Sequence, residues 1–443
     1  MFFFKEENNY RSLVVGVDVK VPLPNGSYTT AINFDNAATT PPFISVMQDI
    51  FTFAPYYSSI HRGNGYKSEL SSNVYEKSRS TILNFVGANP EKDTVIYVKN
   101  TTEAINKLAH RFCHANKKCV ILSSDMEHHS NDLPWRDQYT VDYISIDANG
   151  NLSLKDLEKK LIKYKGNVKL VTVTGASNVT GIINPIYEIA ALTHRYGSKI
   201  VVDGAQLIPH IPFNMRPSNP KEHIDYLVFS GHKMYAPFGV GVLIGSKRDF
   251  ENGPPDLKGG GTVQFVTHDY VSWNSPPQKE EAGTPNLMGV IALVSAIETL
   301  GRVNMHEIAK LEGSLTEYTL NKMKKIPDVV LYSTPNYTKD RLGIIPFNIK
   351  GIPHYVTASI LSSERGISVR SGCFCAHPYV QQLLKLSPKE VEKYIQNPDL
   401  PRPGMVRISF GLYNTPYEVD VLIDLLLRIV ENKNYYLQKY NAN

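Results

Sequence analysis

A lysine and an aspartate each follow a short apolar segment of the kind that forms a buried strand. Lys233 ends Ser230-Gly231-His232-Lys233, which follows Leu227-Val228-Phe229, and Asp203 directly follows Ile200-Val201-Val202. Open α/β sheets bind ligands at the carboxyl ends of their strands, so both side chains are expected at that edge. A lysine there can form a Schiff base with an aldehyde, while a carboxylate can keep a pyridine nitrogen protonated. The pair therefore predicts a site for pyridoxal 5′-phosphate (PLP).

Two further positions could bind acidic groups of a cofactor or a substrate. Thr101-Thr102 stands between a predicted strand and a predicted helix, where backbone N–H groups and the Thr102 hydroxyl can bind a phosphate. A plain helix cap at Thr101 would use the same geometry and is the alternative. Arg370 ends a predicted strand, and its guanidinium matches a carboxylate bidentately. The alternative for Arg370 is an arginine exposed at a strand end.

The composition is that of an ordinary globular protein. The chain has 443 residues, 42% of them hydrophobic and 20% charged, with a formal net charge of +5. That charge is too slight to indicate nucleic-acid binding, and no apolar run reaches the roughly 20 residues of a membrane helix. The first residues do not resemble a secretion signal. Four cysteines do not predict a disulfide framework, so Cys113 and Cys119 are interpreted as small buried thiols and a cytoplasmic location is expected.

Hydrophobic periodicity predicts helices and strands that alternate along most of the chain, which favours an α/β fold: a mostly parallel sheet with helices on both faces. Three parts are expected. Residues 1–32 form an irregular arm, residues 33–300 a large PLP-binding domain, and residues 301–443 a small α+β domain. The polar tail from Asn432 is expected to fray.

Helix starts are marked by Ser153 with Asp156 and by Thr415 with Pro416 and Glu418. The predicted helices are Glu76–Val86, Glu103–Arg111, Leu154–Tyr164, Ile186–Tyr196, His306–Lys325, Tyr355–Arg365 and one from Pro416 to about Val430. The predicted strands are Thr94–Val98, Cys119–Leu122, Val168–Val173, Lys199–Val202, Val329–Tyr332, Ile344–Ile349, Ile367–Arg370 and Val406–Phe410.

Further motifs follow one another in order along the chain: Phe34-Asp35-Asn36-Ala37-Ala38-Thr39-Thr40, His61-Arg62-Gly63, Asn100-Thr101-Thr102-Glu103, Met126-Glu127-His128-His129, Ser177-Asn178-Val179-Thr180-Gly181, Glu281-Ala282-Gly283-Thr284-Pro285, Val369-Arg370-Ser371-Gly372 and Tyr413-Asn414-Thr415. With the Lys233 and Asp203 segments, this set resembles the class V aminotransferase family of fold type I PLP enzymes. Within that family it is most similar to the cysteine desulfurase and selenocysteine lyase branch. The resemblance covers about residues 33–431 and implies a large domain with a mostly parallel sheet and a small C-terminal domain.

The resemblance also implies roles for single residues. It assigns phosphate binding to Thr101, Thr102, Ser230 and His232, the O3′ side of the cofactor to Asn178 and Gln206, ring stacking and proton movement to His128, substrate binding to Arg370, Asn178 and Asn36, and phosphate binding across the subunit interface to Thr284. It therefore implies a homodimer with shared active sites. His128-His129 invites a metal interpretation, but adjacent side chains point apart and no further ligands complete a site, so no metal is expected.

The segment Arg370-Ser371-Gly372-Cys373-Phe374-Cys375-Ala376-His377-Pro378 bears on the reaction type. In the desulfurases a cysteine on this loop attacks the sulfur of the PLP-bound cysteine and becomes a persulfide. Aligned through Ala376 and Pro378, Cys375 falls on that position, and Cys373 has no such match. Gly-Cys-Phe-Cys is also similar to the molybdenum-cofactor sulfurases. A metal clip with His377, or two inert thiols, are the alternatives.

The resemblance thus implies a PLP-dependent cysteine desulfurase that converts L-cysteine, or a similar amino acid, to L-alanine or its analogue, with Lys233 shuttling protons and a protein accepting the sulfur. Another class V enzyme (a selenocysteine lyase, C–S lyase, transaminase or epimerase) and a non-catalytic protein that keeps the fold stay open. Two segments depart from the family pattern. Ser387–Gly404 is inserted after the cysteine loop, and Met215–His223 lengthens the spacing between Asp203 and Lys233.

Overall fold

The computed structural model describes residues 10–112, 119–332 and 341–440. Its strands are β1 (Lys20–Pro22), β2 (Tyr28–Thr30), β3 (Ile32–Asn33), β4 (Asp93–Val98), β5 (Val120–Ser124), β6 (Thr140–Ile144), β7 (Val168–Thr174), β8 (Lys199–Asp203), β9 (Tyr226–Ser230), β10 (Gly241–Ser246), β11 (Val263–Val266), β12 (Val271–Trp273), β13 (Val329–Leu331), β14 (Ile344–Ile349), β15 (Ile367–Ser368), β16 (Arg370–Gly372) and β17 (Met405–Ser409). Its helices are α1 (Ile44–Phe53), α2 (Tyr66–Phe85), α3 (Thr101–Arg111), α4 (Leu133–Arg136), α5 (Leu154–Lys163), α6 (Ile186–Arg195), α7 (Lys247–Glu251), α8 (Leu287–Val303), α9 (Met305–Met323), α10 (His354–Arg365), α11 (His377–Leu383), α12 (Pro388–Gln396), α13 (Pro416–Glu431) and α14 (Lys433–Tyr440).

The main sheet has seven strands in the order β4-β10-β9-β8-β7-β5-β6. Strands β9, β8, β7, β5 and β6 are parallel, and β10 is antiparallel to both of its neighbours. The predicted mostly parallel α/β sheet is confirmed. Because the five parallel strands run the same way, their carboxyl ends meet at one edge, where Asp203 and Ser230 lie.

Both faces of this sheet are buried, as expected when helices cover a parallel sheet on each side. In β8, Ile200 and Val202 contribute to one hydrophobic core, whereas Val201 between them contributes to a second core on the other face. Helix α3 supplies Ala104 and Leu108 to that second core, and α6 and α8 pack into the first. The rigid sheet thus fixes the strand ends that carry the functional side chains.

A second, antiparallel sheet has the order β13-β14-β17-β16. Its apolar side chains form a separate core with α10 and α13. Ile32 and Phe34 also pack into this core, and β3 pairs with β15. The chain therefore contacts the second sheet before it enters the main one. The boundaries at residues 33 and 300 remain predictions.

Four local predictions differ from the structure. The arm is not irregular: β1 and β2 form a hairpin whose turn uses Gly26 at φ 82°. Helix α2 begins ten positions earlier than predicted, because its polar first half buries Ser68 and Ser71 instead of an apolar stripe. The predicted strand Ile367–Arg370 is two strands in different sheets. The tail forms α14, held by the buried Tyr436.

Cys119, just before β5, is buried but disulfide-bonded, so its interpretation as a free thiol is wrong. Cys113 lies outside the described residues. In the part of the chain that the structure describes, no single helix is long and apolar enough to cross a membrane, although the pair α8 and α9, bent by 76°, passes the same test of length and composition.

Candidate active site

A cavity of about 330 Å³ opens at the carboxyl edge of the main sheet, between that sheet and the second one. Helix α3 begins at one side of it, and the cysteine loop covers another. Its wall is formed by Ala37, Ala38, Asn100, Thr101, Thr102, His128, Ser130, Thr174, Asn178, Asp203, Ala205, Gln206, Ser230, His232, Lys233, Arg370, Phe374, Cys375 and Arg407. The cavity brings together most of the residues predicted to bind cofactor and substrate.

Lys233 ends a single helical turn that directly follows β9. This turn needs Gly231, since a Cβ atom there would lie 2.8 Å from Val240 Cγ1. Burial lowers the pKa of Lys233 to about 8, with Arg407 acting in the same direction, while the Asp203 carboxylate opposes the shift. A larger share of this amine is therefore uncharged near neutral pH than for an exposed lysine, as a Schiff-base lysine requires.

Asp203 ends β8 and is only 4% exposed. Its Oδ1 accepts a hydrogen bond of 3.0 Å from Ala205 N, and among the described residues it forms no ion pair. Burial raises the pKa of Asp203; the hydrogen bond from Ala205 N, and then the charge of Lys233, offset this only in part. A protonated pyridine nitrogen would supply the missing charge. The site thus fits the predicted role of Asp203 toward PLP.

Hydroxyl groups gather at the amino end of α3. Ser230 Oγ accepts a 2.8 Å hydrogen bond from Thr101 N, its hydroxyl lies 2.7 Å from that of Thr101, and the Thr102 and Ser130 hydroxyls are 2.7 Å apart. The helix start lies directly against β10, since a Cβ at Gly241 would be 2.6 Å from Asn100 Cα. These hydroxyls and the positive amino end of the 11-residue helix α3 together favour the binding of a phosphate group at this point.

Both histidines on the cavity wall are uncharged near neutral pH. Burial, and then the charge of Lys233, lower the pKa of His128 to about 3 and that of His232 to about 4. His128 Nδ1 accepts a 3.1 Å hydrogen bond from Ser130 N, which orients the ring. A neutral, oriented imidazole is what stacking on a cofactor ring requires.

Two of the amide side chains on the cavity wall, those of Asn178 and Gln206, are partly engaged with the protein. Gln206 Nε2 donates to Ala37 O at 2.7 Å, and Gln206 Oε1 is buried without a partner. Asn178 Nδ2 donates to Phe374 O at 2.7 Å, so this side chain holds the cysteine loop. The Gln206 side chain therefore has unused hydrogen-bonding capacity at the cavity, whereas Asn178 is also a support for the loop.

Two arginines meet across β16 and β17, where Arg370 and Arg407 are paired residues. Both bind Asp35: Arg370 Nη2 lies 2.9 Å from Asp35 Oδ2 and Arg407 Nη2 lies 3.0 Å from Asp35 Oδ1. The Arg370 side chain is 50% exposed, whereas that of Arg407 is 3% exposed, donates to Asn178 O at 2.8 Å and leaves Nε buried without a partner. Arg407 is thus a fixed, buried cation with capacity for an anionic ligand.

The cysteine loop is held in a specific conformation. Phe374 and Cys375 have φ of 53° and 54°, the left-handed region that costs non-glycine residues energy. His129 N donates to Cys375 O at 2.7 Å, and Cys375 is exposed at the cavity wall. Cys373 instead donates its thiol to Pro403 O at 3.2 Å, and burial raises its pKa. The insertion therefore contacts Cys373 and leaves Cys375 facing the cavity.

Two predicted site residues lie elsewhere. Asn36 is 1% exposed and is not part of the cavity wall: its amide donates to Asn33 O, Ser409 O and Asn414 Oδ1, and its oxygen accepts from Tyr413. In this structure Asn36 joins β3 to β17 and the loop that follows it, and its predicted contact with substrate stays a prediction. Thr284 is exposed and lines a second cavity, with Ser59, Arg62 and Gly260.

Sequence reasoning missed Arg407 and Glu127. Arg407 could have been found from its position, a charged residue inside the apolar strand β17. Arginine is rarely buried unless it is paired, so a buried guanidinium there indicates an anionic partner. Glu127 is fully buried behind His128; its carboxylate accepts from Asn131 at 2.7 Å and from Thr174 N at 3.0 Å, and burial raises its pKa to about 8. Glu127 thus fastens the segment that carries His128 to the end of β7.

The fold and the site are typical of a PLP-dependent enzyme. Residues 32–422 match the family model described as aminotransferase class-V. The chain therefore belongs to the class-V aminotransferase family.

Individual relatives are more specific. The probable cysteine desulfurase of Halalkalibacterium halodurans is 33% identical over 406 residues, which cover 90% of this chain and 92% of that protein. A probable cysteine desulfurase of Mycolicibacterium paratuberculosis is 34% identical over 90% of this chain, which spans only 55% of that longer protein. The solved apo structure of the cysteine desulfurase from Thermococcus onnurineus NA1 has a TM-score of 0.81 and 32% identity, covering 90% of this chain and 95% of that one.

Proposed function

We propose that this protein is a PLP-dependent cysteine desulfurase that converts L-cysteine to L-alanine and carries the sulfur as a persulfide on Cys375. The observation that carries the proposal is the cavity itself, which places an exposed cysteine on the same wall as a buried lysine and a buried aspartate. The relatives named as cysteine desulfurases support it.

PLP would be held by residues at three points of the cavity. Lys233 would bond to the aldehyde, Asp203 would pair with the pyridine nitrogen, and the α3 start with Ser230 would bind the phosphate. When bound, this group supplies the electron sink for bond breaking at the amino acid.

The substrate carboxylate would bind mainly to Arg407, with Arg370 as the weaker second ligand. Arg407 is buried and held by Asp35 and Asn178, so its guanidinium is already oriented before substrate arrives. Arg370 is half-exposed and can turn toward the ligand while it keeps contact with Asp35. The amino acid would thereby be oriented with its side chain toward the cysteine loop.

The sulfur transfer needs no outside oxidant or reductant. The Cys375 thiolate attacks the sulfur of the substrate; a sulfur–sulfur bond forms, the substrate Cβ–S bond breaks, and its electron pair stays with the carbon fragment. That fragment takes up protons and leaves as alanine, so L-cysteine and a thiol give L-alanine and a persulfide. Lys233, whose pKa is lowered to about 8, can hold or release a proton near neutral pH.

The test is to incubate the purified holoenzyme with L-cysteine and to measure alanine, sulfide and protein-bound persulfide by mass spectrometry. We expect alanine and a mass gain of one sulfur on Cys375. Cys375→Ala should lower alanine formation by more than about a hundredfold without changing the PLP spectrum, because the nucleophile is gone.

Cys373→Ala is the matched control, since that thiol is occupied by Pro403 O and lies outside the cavity wall. The Cys373→Ala protein should form alanine at most of the rate of the unsubstituted protein. Full activity in Cys375→Ala would contradict the persulfide mechanism and favour a lyase or transaminase.

We further infer a homodimer. Thr284 is exposed and is not part of the wall of its own chain's first cavity, and several large apolar side chains are exposed, including Phe51 at 82%, Tyr66 at 70% and Phe265 at 61%. Aromatic side chains this exposed can form part of a protein interface. A protein acceptor for the sulfur is proposed on the exposure of Cys375.

A further inference from the structure

The turn that carries Cys375 has a backbone conformation that its own residues do not favour. A 2.9 Å hydrogen bond from Ala376 N to Cys373 O closes the turn. Its two central residues, Phe374 and Cys375, have φ of 53° and 54°, the pattern of a type I′ turn, which glycine and asparagine normally occupy. Such a conformation persists only where surrounding groups fix it. Those groups therefore decide where the Cys375 thiol points.

His129 holds the backbone of this turn at two points. His129 N donates to Cys375 O at 2.7 Å, and the ring atom His129 Nε2 accepts from His377 N at 3.2 Å. The ring atom His377 Nδ1 also lies 3.0 Å from His129 Nε2. Because Cys375 and His377 flank Ala376, one residue from the segment after β5 fixes the turn on both sides of Ala376.

The ring of His129 also takes the place of a missing helix cap. Helix α11 begins at His377, and the preceding Ala376 offers no side-chain acceptor to the free N–H groups of the first helical turn. His129 Nε2 accepts from the first of these groups, that of His377. The start of α11, directly after the turn, is thus fixed by the same ring.

The contact with His377 N requires a neutral ring. A backbone N–H only donates, so His129 Nε2 must be the unprotonated ring atom and Nδ1 carries the hydrogen. Burial, and then His377, lower the pKa of His129; Asp132 opposes this shift and Arg136 adds to it. Burial, and then Arg402, lower the pKa of His377. The titratable and charged side chains around the His129 ring are those of His128, Asp132, Arg136 and His377.

We propose that His129 is a positioning residue for sulfur transfer: its neutral ring holds Cys375 in the conformation for attack, and a proton on Nε2 releases the turn. A protonated Nε2 is a donor that faces the N–H donor of His377, so the hydrogen bond is lost. In the released turn Phe374 and Cys375 leave the left-handed region, which moves the thiol away from the substrate sulfur. The role in sulfur transfer rests on the proposed function, whereas the contact between ring and turn does not.

The hold on the turn should weaken in acid. The pKa of His129 is lowered while the turn is held, whereas a released ring returns to about 6.5. The hold is therefore complete above about pH 6.5 and weakens by up to tenfold for each pH unit below it, until the lowered pKa is reached.

Hydrogen exchange of the PLP-loaded protein, measured by mass spectrometry, tests this hold. The readout is the protection factor of the peptide 373–380, which compares its exchange rate with that of the unfolded peptide at the same pH. In the unsubstituted protein the protection factor should fall below about pH 6.5. His129→Gln keeps an acceptor for His377 N but does not titrate, so its protection should not change with pH. His129→Phe keeps a ring without an acceptor and should lose roughly tenfold in protection at every pH.

His377→Ala is the matched control, because it removes the neighbouring ring and keeps the backbone N–H. Its protection should follow that of the unsubstituted protein. Protection that does not change with pH in the unsubstituted protein, or that falls equally in His129→Gln, would overturn the hold of the ring.

The positioning role has a separate measurement. His129→Phe should lower kcat for alanine formation roughly tenfold or more without changing KM for L-cysteine, since Lys233 and Arg407 are untouched, and His129→Gln should restore kcat. An unchanged kcat in His129→Phe would overturn the positioning role. If the unsubstituted protein forms no alanine, the proposed function fails, while the exchange result stands by itself.

Discussion

Arg407 and Arg370 both contact Asp35, but only Arg407 is buried and held at a second point by Asn178 O. A guanidinium fixed in this way should contribute more to binding a carboxylate than one that must first be ordered. The sequence led us to Arg370 because it belongs to the cysteine motif. The structure adds Arg407, and the relative importance of the two can be measured.

Arg407→Lys should lower kcat/KM for L-cysteine by roughly 10- to 150-fold, since it loses charge-assisted hydrogen bonds each contributing about 1.5–3 kcal/mol. Lysine keeps the charge but not the planar fork. Arg370→Lys changes a half-exposed position and should lower kcat/KM for L-cysteine less than Arg407→Lys does. Steady-state alanine formation measures both variants. A larger loss in Arg370→Lys would show that the exposed arginine is the main carboxylate ligand.

The pKa of Lys233, lowered to about 8, predicts how PLP attaches to the apo-protein. Only the uncharged amine reacts with an aldehyde, and its share rises with pH up to the pKa. The attachment rate should therefore rise about tenfold per pH unit below 8 and level off above it, rather than rise toward the 10.4 of an ordinary lysine.

Stopped-flow absorbance after mixing apo-protein with PLP measures this rate. Nα-acetyl-lysine is the control, and its rate should keep rising above pH 9. A protein rate that also kept rising to pH 10 would mean that burial does not lower the pKa of Lys233.

At the scale of elements, local chemistry predicted much of the chain. Ser153 accepts from Asp156 N, and Thr415 with Glu418 forms a full capping box, so both helix starts were readable from neighbouring residues. The strand β14 agrees with its prediction over Ile344–Ile349. The apolar strand cores were equally readable, because burial on both faces of a parallel sheet demands continuous Val and Ile.

What could not be predicted depends on distant contacts. The helix α14 exists because Tyr436 packs into the core of the second sheet, a contact that no local pattern shows. The same holds for the site. Lys233 and Asp203 were predictable from strand ends, whereas the supporting role of Asn36 depends on Ser409 and Asn414, more than 370 positions away.

The insertion gives a test at this scale. It returns to the site at Gly404, where a Cβ atom would lie 2.7 Å from Gly372 Cα, directly before Cys373. Gly404→Ala should push the cysteine loop aside and lower alanine formation by up to about a hundredfold, as small misplacements of a reacting group do. The PLP spectrum should not change, because Asp203 ends β8 and Lys233 lies in the turn that directly follows β9, both apart from the cysteine loop.

Gly313→Ala is the control, since Gly313 is exposed in α9 with open space around it and alanine favours helix. It should leave activity unchanged. Normal alanine formation in Gly404→Ala would show that the insertion does not position the loop.

The whole molecule presents its cavity and Thr284 at different places. Thr284 lines the second cavity, beside the segment that carries Arg62, while exposed Phe51, Tyr66 and Phe265 offer apolar area for a partner. In a symmetric dimer the same surface serves both subunits, so each Thr284 could reach the other subunit's cavity. If so, an active site is complete only when two chains meet.

Subunit complementation tests this arrangement. Lys233→Ala should be inactive, and Thr284→Asp should be nearly so, because a carboxylate would repel the phosphate. In a mixed dimer, the subunit with intact Lys233 would receive the intact Thr284 of the Lys233→Ala subunit, which restores one of the two sites. Random exchange makes half of the dimers mixed, so unfolding and refolding the two variants together should restore about a quarter of the normal alanine formation. No gain over the separate variants, with a dimer confirmed by sedimentation, would mean that each site is built from one chain.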